Sequence, residues 1–300
     1  MPERATVATH SAVTVVSAFS SGKGVTIGID VPCIVTADLR PREIGTPEIN
    51  VRGKIPDTQN LVVVTVKRAM KYLGVRIPHE KSVFLTVDSE IPTAVGLKSS
   101  SAVSVAVTKA IFEIFSRQDL MPAESQKILQ ISCEASIEAG ASLTGAFDDA
   151  TASLLGGLVF SDNLKFRLLR HESLNPELGS AVRILVPINR NKLTSTLSLE
   201  TYRKYRALSL EAIEYAQRGV LVQAMLLNSI IHSVIHHYSM QPIISSLAEG
   251  ASASGITGKG PAVAAICRNN RISNRVARRW NEENRDCRII TASVTEPRKS

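Results

Sequence analysis

A serine-rich loop is the first segment whose residue types suit phosphate binding. Residues 92–102 read PTAVGLKSSSA and stand immediately before an Ala- and Val-rich stretch of helical character. A helix start offers unpaired backbone N–H groups and a positive dipole end, and the serines and lysine add further donors. One serine would suffice as a helix cap, so the surplus favours a triphosphate site. The residues assigned to the nucleotide are Pro92, Gly96, Leu97, Lys98, Ser99, Ser100, Ser101 and Ala102.

Two adjacent carboxylates form a second candidate site. Asp148 and Asp149 follow a glycine-containing turn, while Glu134 and Glu138 stand four residues apart on the preceding predicted helix and therefore share one face. A base near a hydroxyl and a carboxylate near Mg²⁺ are parts that phosphoryl transfer requires. An Asp pair in a turn is common for structural reasons alone. The pair therefore indicates a catalytic site only in combination with the serine loop.

Two more glycine-rich segments could bring backbone close to a ligand. Residues 254–261 read SGITGKGP, and an early predicted turn holds Gly22, Lys23 and Gly24, followed by Gly28 and Asp30. Lys23 could pair with a phosphate or a carboxylate. The spacing does not match the dinucleotide fingerprint G-x-G-x-x-G, and the chain contains no G-x-x-x-x-G-K-[ST] sequence, so a P-loop kinase is disfavoured.

Composition excludes several other classes of protein. The 300 residues are 44% apolar and carry a net charge of +8, but the basic residues are spread along the chain and only 4% of residues are aromatic. Only the segment 268–279 and the terminal Arg298-Lys299 gather basic residues, and there is little to stack bases on, so a nucleic-acid partner is not expected. The four cysteines are far apart, which indicates neither a zinc site nor disulfides. No apolar stretch approaches ~18 residues, so we expect a cytoplasmic protein with no membrane partner.

The elements that must position these residues alternate between strands and helices. His232 and His236 share a face of one predicted helix, and with no acidic third ligand nearby they are interpreted as ordinary helix residues. Strands are predicted at 12–19, 34–39, 48–51, 83–87, 166–169, 182–187, 263–267 and 288–294. Helices are predicted at 57–73, 102–115, 123–139, 199–218, 220–237 and 271–283, with Asp57 and Gly74 as caps of the first.

Taken together and in this order, the three glycine-rich segments resemble the GHMP kinase superfamily. The loop at 92–102 is similar to the family's P-x-x-x-G-L-x-S-S-[SA]-A phosphate loop, and residues 254–261 are similar to its C-terminal glycine motif. Lys98 and the sequence GAFDDA at 145–150 resemble the archaeal branch of shikimate kinases within that superfamily. The resemblance implies an α+β, two-lobed GHMP kinase fold: a ribosomal-protein-like N-terminal lobe at 1–162 and a ferredoxin-like C-terminal lobe at 163–300.

The resemblance also implies an activity and roles for particular residues. It implies transfer of the ATP γ-phosphate to the 3-hydroxyl of shikimate, with homoserine or mevalonate kinase as the alternative. Asp148 falls on the family's catalytic aspartate, Ser100 on its Mg²⁺-binding serine, and Glu138 is the candidate metal-binding glutamate, with Glu134 as the other possibility. Lys23, Gly24, Asp148, Gly258 and Gly260 are expected near the substrate, and its carboxylate is expected to pair with Lys23 or Arg40.

Overall fold

The chain forms two β-sheets with helices packed against them. The computed structural model describes residues 3–53, 58–115, 123–188 and 198–298. Helices pack on two sheets, which makes it an α+β protein, as the resemblance implies. None of the helices in these ranges is long and apolar enough to cross a membrane.

The first sheet is built around one long strand, β2 (Lys23–Pro41). It pairs with β1 (Arg4–Val16) along most of its length, with β5 (Leu158–Asp162) through its first residues and with β4 (Lys81–Ser89) through its last. The sheet order is β3-β4-β2-β5-β6, with β1 beside β2. Its strands are β1 (Arg4–Val16), β2 (Lys23–Pro41), β3 (Ile49–Gly53), β4 (Lys81–Ser89), β5 (Leu158–Asp162) and β6 (Arg167–Glu172).

Four helices pack with the first sheet, and α2 is the most deeply buried of them. Apolar residues on all its sides, including Val103, Ala106 and Ile111, are fully buried, as expected for a helix enclosed by a sheet and other helices. This burial fixes the helix start against β1 and β2. The helices are α1 (Gln59–Leu73), α2 (Ser99–Phe115), α3 (Ala123–Glu138) and α4 (Phe147–Leu155).

The second sheet is antiparallel, in the order β10-β7-β9-β8. Its strands are β7 (Ala181–Pro187), β8 (Ala253–Ile256), β9 (Val263–Cys267) and β10 (Cys287–Ser293). The accompanying helices are α5 (Leu199–Arg203), α6 (Arg206–Gln217), α7 (Leu221–His236), α8 (Gln241–Ala248) and α9 (Asn270–Glu283). Helix α7 joins the two sheets, because Asn228 accepts from the Ser17 N–H at 2.9 Å and donates to the Ile256 carbonyl at 3.4 Å.

Most predicted elements are present, with several corrections. Gly28 and Asp30 lie inside β2 and not in a turn, because β2 continues from Lys23. The helix predicted at 199–218 is divided into α5 and α6, and α4 and α8 were not predicted. β6 pairs with β5, so the first sheet continues beyond residue 162, and the division into lobes at 1–162 and 163–300 stays a prediction. The predicted cap Asp57 lies outside the described residues.

Candidate active site

The carboxylate pair lies at the start of a buried helix. Ala146 precedes α4 in a left-handed conformation, with φ of 52°, and this turns the chain so that Asp148 and Asp149 occupy the first helical turn. Their exposures are only 4% and 8%. The positive end of the helix dipole favours negative charge at this position, which helps to retain two carboxylates in the interior.

Asp148 is held by hydrogen bonds to both carboxylate oxygens. The Thr26 hydroxyl on β2 donates to Oδ2 at 3.0 Å, and the Asn163 amide donates to Oδ1 at 2.6 Å. The Asp148 N–H in turn donates to Asn163 Oδ1 at 3.1 Å, and Ser161 donates to the same oxygen at 2.6 Å. The Asp148 N–H can only donate, so it fixes the Asn163 oxygen on its side and leaves the amide NH₂ to hold the Asp148 carboxylate in one orientation.

Asp149 pairs with Lys98, the lysine of the serine loop. The Lys98 Nζ lies 3.0 Å from Asp149 Oδ1, and both side chains are largely buried. Burial, followed by the charge of Asp148, raises the pKa of Asp149 to about 7, although Lys98 and the Thr26 hydroxyl act in the opposite direction. The ion pair brings the serine loop and the carboxylate pair into one site, although more than forty residues separate them in sequence.

The raised pKa of Asp149 gives stability a pH dependence of definite sign. The folded chain binds the Asp149 proton more tightly than the unfolded chain, so this group lowers stability as pH rises from about 4, where an unfolded Asp titrates, to about 7. Asp149→Asn removes the titration. We therefore expect the variant to gain stability relative to wild type between pH 5 and pH 8. Urea unfolding at pH 5 and pH 8 measures the free energy of unfolding of both proteins, with Asp88→Asn, at an exposed position, as control. The same difference between Asp149→Asn and wild type at both pH values would contradict the prediction.

The serine loop leaves donors at the start of α2 without intrahelical partners. Ala102 makes the first helical bond, to the Lys98 carbonyl, so the preceding N–H groups are free of the helix ladder. Among the described residues, the buried Ser99 hydroxyl also has no hydrogen-bond partner. The loop carbonyls face the sheet instead, since Ser11 donates to the Leu97 carbonyl at 2.8 Å and Thr9 to the Ala102 carbonyl at 2.9 Å. Such a set of donors fits an anionic phosphate group.

The C-terminal glycine turn crosses directly over this loop. The Thr257 hydroxyl donates to the Gly96 carbonyl at 3.0 Å, while the Thr14 N–H donates to the same hydroxyl at 3.0 Å. Gly96 has a φ of 87°, and a Cβ there would overlap the Thr257 carbonyl, so the crossing requires glycine. A Cβ on Gly258 would lie 3.2 Å from the Lys98 Nζ. The turn therefore forms one wall around the Lys98 ammonium.

The early glycines lie beside the carboxylates. Gly24, on the first residues of β2, packs so closely against Asp148 that a Cβ would overlap the carboxylate. Lys23 is exposed next to it. The structure thus brings together Gly24, Asp148 and the turn at 254–261, which the sequence places far apart. Thr26 and Asn163 were not predicted, and the only sequence signal for them is that each is a polar residue in or directly after an apolar strand.

The two glutamates on α3 are occupied by an arginine. Arg68 of α1 pairs with Glu134 and with Glu138, the second at 2.8 Å, and the Glu138 side chain is 54% exposed. Within the described ranges, no group of three or more His, Cys, Asp or Glu side chains is arranged to hold a metal. Mg²⁺ in phosphoryl-transfer sites is usually held by one or two carboxylates together with substrate phosphates and water, so Asp149 and the loop serines fit that donor set. The assignment of Glu138 to the metal stays a prediction.

Comparison with known proteins identifies the family. The family model described as GHMP kinases N terminal domain matches residues 60–157, and that described as GHMP kinases C terminal matches residues 212–286. The chain belongs to the GHMP kinases, and it is an ATP-dependent kinase that acts on an alcohol acceptor.

Particular relatives narrow the comparison. The chain is 38% identical to a shikimate kinase of Pyrococcus furiosus, with 85% of this chain and 89% of the relative covered. It is 35% identical to a shikimate kinase of Thermococcus kodakarensis over the same shares. A homoserine kinase from Cytophaga hutchinsonii superimposes with a TM-score of 0.73 at 16% identity, covering 100% and 96% of the two chains. The structure of L. major mevalonate kinase in complex with R-mevalonate superimposes with a TM-score of 0.71 at 14% identity, covering 99% of this chain and 98% of that one. These similarities show a shared fold.

Proposed function

We propose that this protein is a shikimate kinase, which transfers the γ-phosphate of ATP to the 3-hydroxyl of shikimate on the route to chorismate and the aromatic amino acids. The observation that carries the acceptor assignment is the identity of 38% with the Pyrococcus furiosus shikimate kinase across 85% of the chain. The geometry supports the reaction type independently, because a fixed carboxylate, a buried lysine and a donor-rich helix start meet in one place.

Asp148 is the proposed base for the acceptor hydroxyl. Thr26 and Asn163 donate one hydrogen bond to each of its oxygens, and a carboxylate has about four lone-pair sites, so acceptor capacity remains for the substrate proton. The same two bonds hold the side chain in one orientation, which favours a single approach of the hydroxyl. Asp148 would orient the alcohol and take its proton as the new O–P bond forms.

The serine loop is the proposed phosphate site. Its free N–H groups at the start of α2, the unpartnered Ser99 hydroxyl and the Lys98 ammonium would hold and neutralise the transferring phosphate. We propose Ser100 and Glu138 as protein ligands of Mg²⁺, with Glu138 released from its pair with Arg68, and Asp149 as a further carboxylate beside the loop. When bound, Mg²⁺ would supply neutralisation of charge on the triphosphate. The nucleotide would contact Pro92, Gly96, Leu97, Lys98, Ser99, Ser100, Ser101 and Ala102.

The acceptor side of the site is proposed to lie between the early glycines and the C-terminal turn. Lys23 and Gly24 flank Asp148 on β2, and Gly258 and Gly260 belong to the turn next to Lys98. A Cβ at each of the three glycines would meet protein atoms, so these positions allow Asp148, the serine loop and the C-terminal turn to pack closely around the site.

A side-by-side assay of acceptors tests the proposal. Release of ADP is measured by a coupled reaction with shikimate, homoserine, mevalonate and galactose, at equal ATP and Mg²⁺. We expect kcat/KM for shikimate to exceed the others by orders of magnitude. A higher value for homoserine or mevalonate would replace shikimate as the acceptor and keep the kinase assignment.

A further inference from the structure

Lys259 is a cation with no anionic partner in the part of the chain that the structure describes. It lies in the C-terminal glycine turn, where Tyr238 donates to its backbone carbonyl at 2.9 Å and so fixes the turn. Its Nζ lies 5.4 Å from the centre of the Phe19 ring, and no described carboxylate pairs with it. The side chain is reachable from solvent, but protein surrounds enough of it that burial, then the charge of Lys98, lowers its pKa.

The groups around Lys259 add positive charge or remain neutral. Burial lowers the pKa of His232 to about 3, and His236, Lys98 and Lys259 add to the effect. Burial and then Lys259 lower the pKa of His236. Lys98 is already paired with the Asp149 carboxylate at 3.0 Å. The Lys259 charge is therefore not balanced by a described carboxylate, and an unbalanced positive charge attracts an anion from solution.

Aromatic rings form the wall beside this charge. Phe19 contacts Tyr202 at 5.0 Å between ring centroids, and His236 stacks on Tyr238 at 5.2 Å. The Tyr202 hydroxyl lies 2.8 Å from His236 Nε2. An apolar wall with polar atoms at its edge suits a small cyclic molecule that carries one charged group.

The position of this wall relative to Asp148 indicates which reactant it meets. Lys98 Nζ lies 3.0 Å from Asp149 and would be 3.2 Å from a Cβ on Gly258, the residue before Lys259. Phe19 lies in the turn that leads into Gly24, which packs on Asp148. The cation and the aromatic wall therefore continue from the proposed base on the side of the early glycines.

We propose that Lys259, with the partly exposed rings of Phe19, His236 and Tyr238 beside it, binds the carboxylate of the alcohol acceptor. This inference rests on the proposed function, in which the acceptor is the anion shikimate. The sequence analysis predicts Lys23 or Arg40 as the partner of this carboxylate. Lys23 adjoins the site, whereas Arg40 lies at the opposite end of β2, where it pairs with Asp38 at 2.7 Å and lies over Phe84. Lys259 lies in the C-terminal glycine turn, above the Phe19 ring, and is a third candidate for the carboxylate.

The test compares shikimate with its uncharged methyl ester in wild type, Lys259→Met and Lys259→Arg. We expect Lys259→Met to lower kcat/KM for shikimate roughly 10- to 100-fold, the range for a hydrogen bond to a charged group, chiefly through KM. The activity of Lys259→Met on the ester should change little, so that its preference for the acid over the ester disappears. Lys259→Arg should retain most of the wild-type preference for the acid. Lys71→Met, which removes an exposed lysine from α1, is the matched control.

Two outcomes would overturn the inference while leaving the proposed function intact. One is an equal loss of kcat/KM for acid and ester in Lys259→Met; the other is a loss confined to the KM for ATP, which would show that Lys259 binds the nucleotide.

If wild type instead prefers homoserine or mevalonate, the proposed function fails. The acid-against-neutral comparison is then made with that acceptor, which is also a carboxylate. If no acceptor is turned over, calorimetry in the presence of a non-hydrolysable ATP analogue measures the binding of shikimate and of its methyl ester. Tighter binding of the acid by wild type, abolished in Lys259→Met, supports the inference. Equal binding of acid and ester by wild type, or a preference that Lys259→Met keeps, overturns the inference.

Discussion

Asp148→Asn should lower kcat by about 10²- to 10⁴-fold, the usual contribution of a general base, while affinity for ATP largely survives. Asparagine keeps the volume of the side chain but cannot take a proton from the hydroxyl. It also presents an NH₂ group to one of the two donors, Thr26 and Asn163, that now bond the carboxylate. Steady-state kinetics with shikimate and titration with an ATP analogue separate the two effects.

The control for this variant is Asp88→Asn, on an exposed position of β4. The same chemical change there should leave kcat within the error of the assay. Turnover by Asp148→Asn close to that of wild type would refute the role of Asp148 as base. A parallel loss of nucleotide affinity would indicate that the site had rearranged.

Gly24→Ala should lower kcat by about 10²-fold, the effect that a displacement of about 1 Å can have on a reacting group. The added methyl would overlap the Asp148 carboxylate, which has nowhere to move without breaking its bonds to Thr26 or Asn163. Gly24 lies in β2 with an ordinary strand conformation, so alanine is not strained by its backbone. The expected loss therefore comes from the position of Asp148.

Gly74→Ala is the matched control for Gly24→Ala. Gly74 ends α1 with φ of 66°, and no atom lies within 4 Å of the added methyl. That variant should lose about 1 kcal/mol of stability from the left-handed conformation and keep wild-type kcat. Thermal melts and kinetics of both variants distinguish a local effect on Asp148 from general destabilisation; normal turnover by Gly24→Ala would contradict the tight packing.

The sequence predicts the elements around the site because their signals are local. The serine loop precedes a long apolar run, which predicts the end of α2 at residue 115 and places its start three residues too late, and the strand signal at 83–87 lies within β4. Gly74 ends α1 in a left-handed conformation, as a C-cap glycine does. Each of these depends on residues within a few positions of one another.

The details of the site depend on tertiary contacts and were not predicted. α4 has no side-chain N-cap, and it begins after a left-handed alanine, so the Asp pair looked like a turn. The pairing of Lys98 with Asp149 depends on how α2 and α4 pack. Asn163 orients Asp148 only because β5 ends beside α4, which no local pattern indicates.

The most direct test of the central claim is identification of the phosphorylated product. The protein is incubated with ATP, Mg²⁺ and equal concentrations of shikimate, homoserine and mevalonate, and phosphorus–proton correlation NMR identifies the alcohol and the carbon that carry the new phosphate. We predict one product, phosphorylated on the 3-oxygen of shikimate, formed by wild type and not detectably by Asp148→Asn over the same time. Phosphate on either competing alcohol, or equal product from both proteins, would contradict the account.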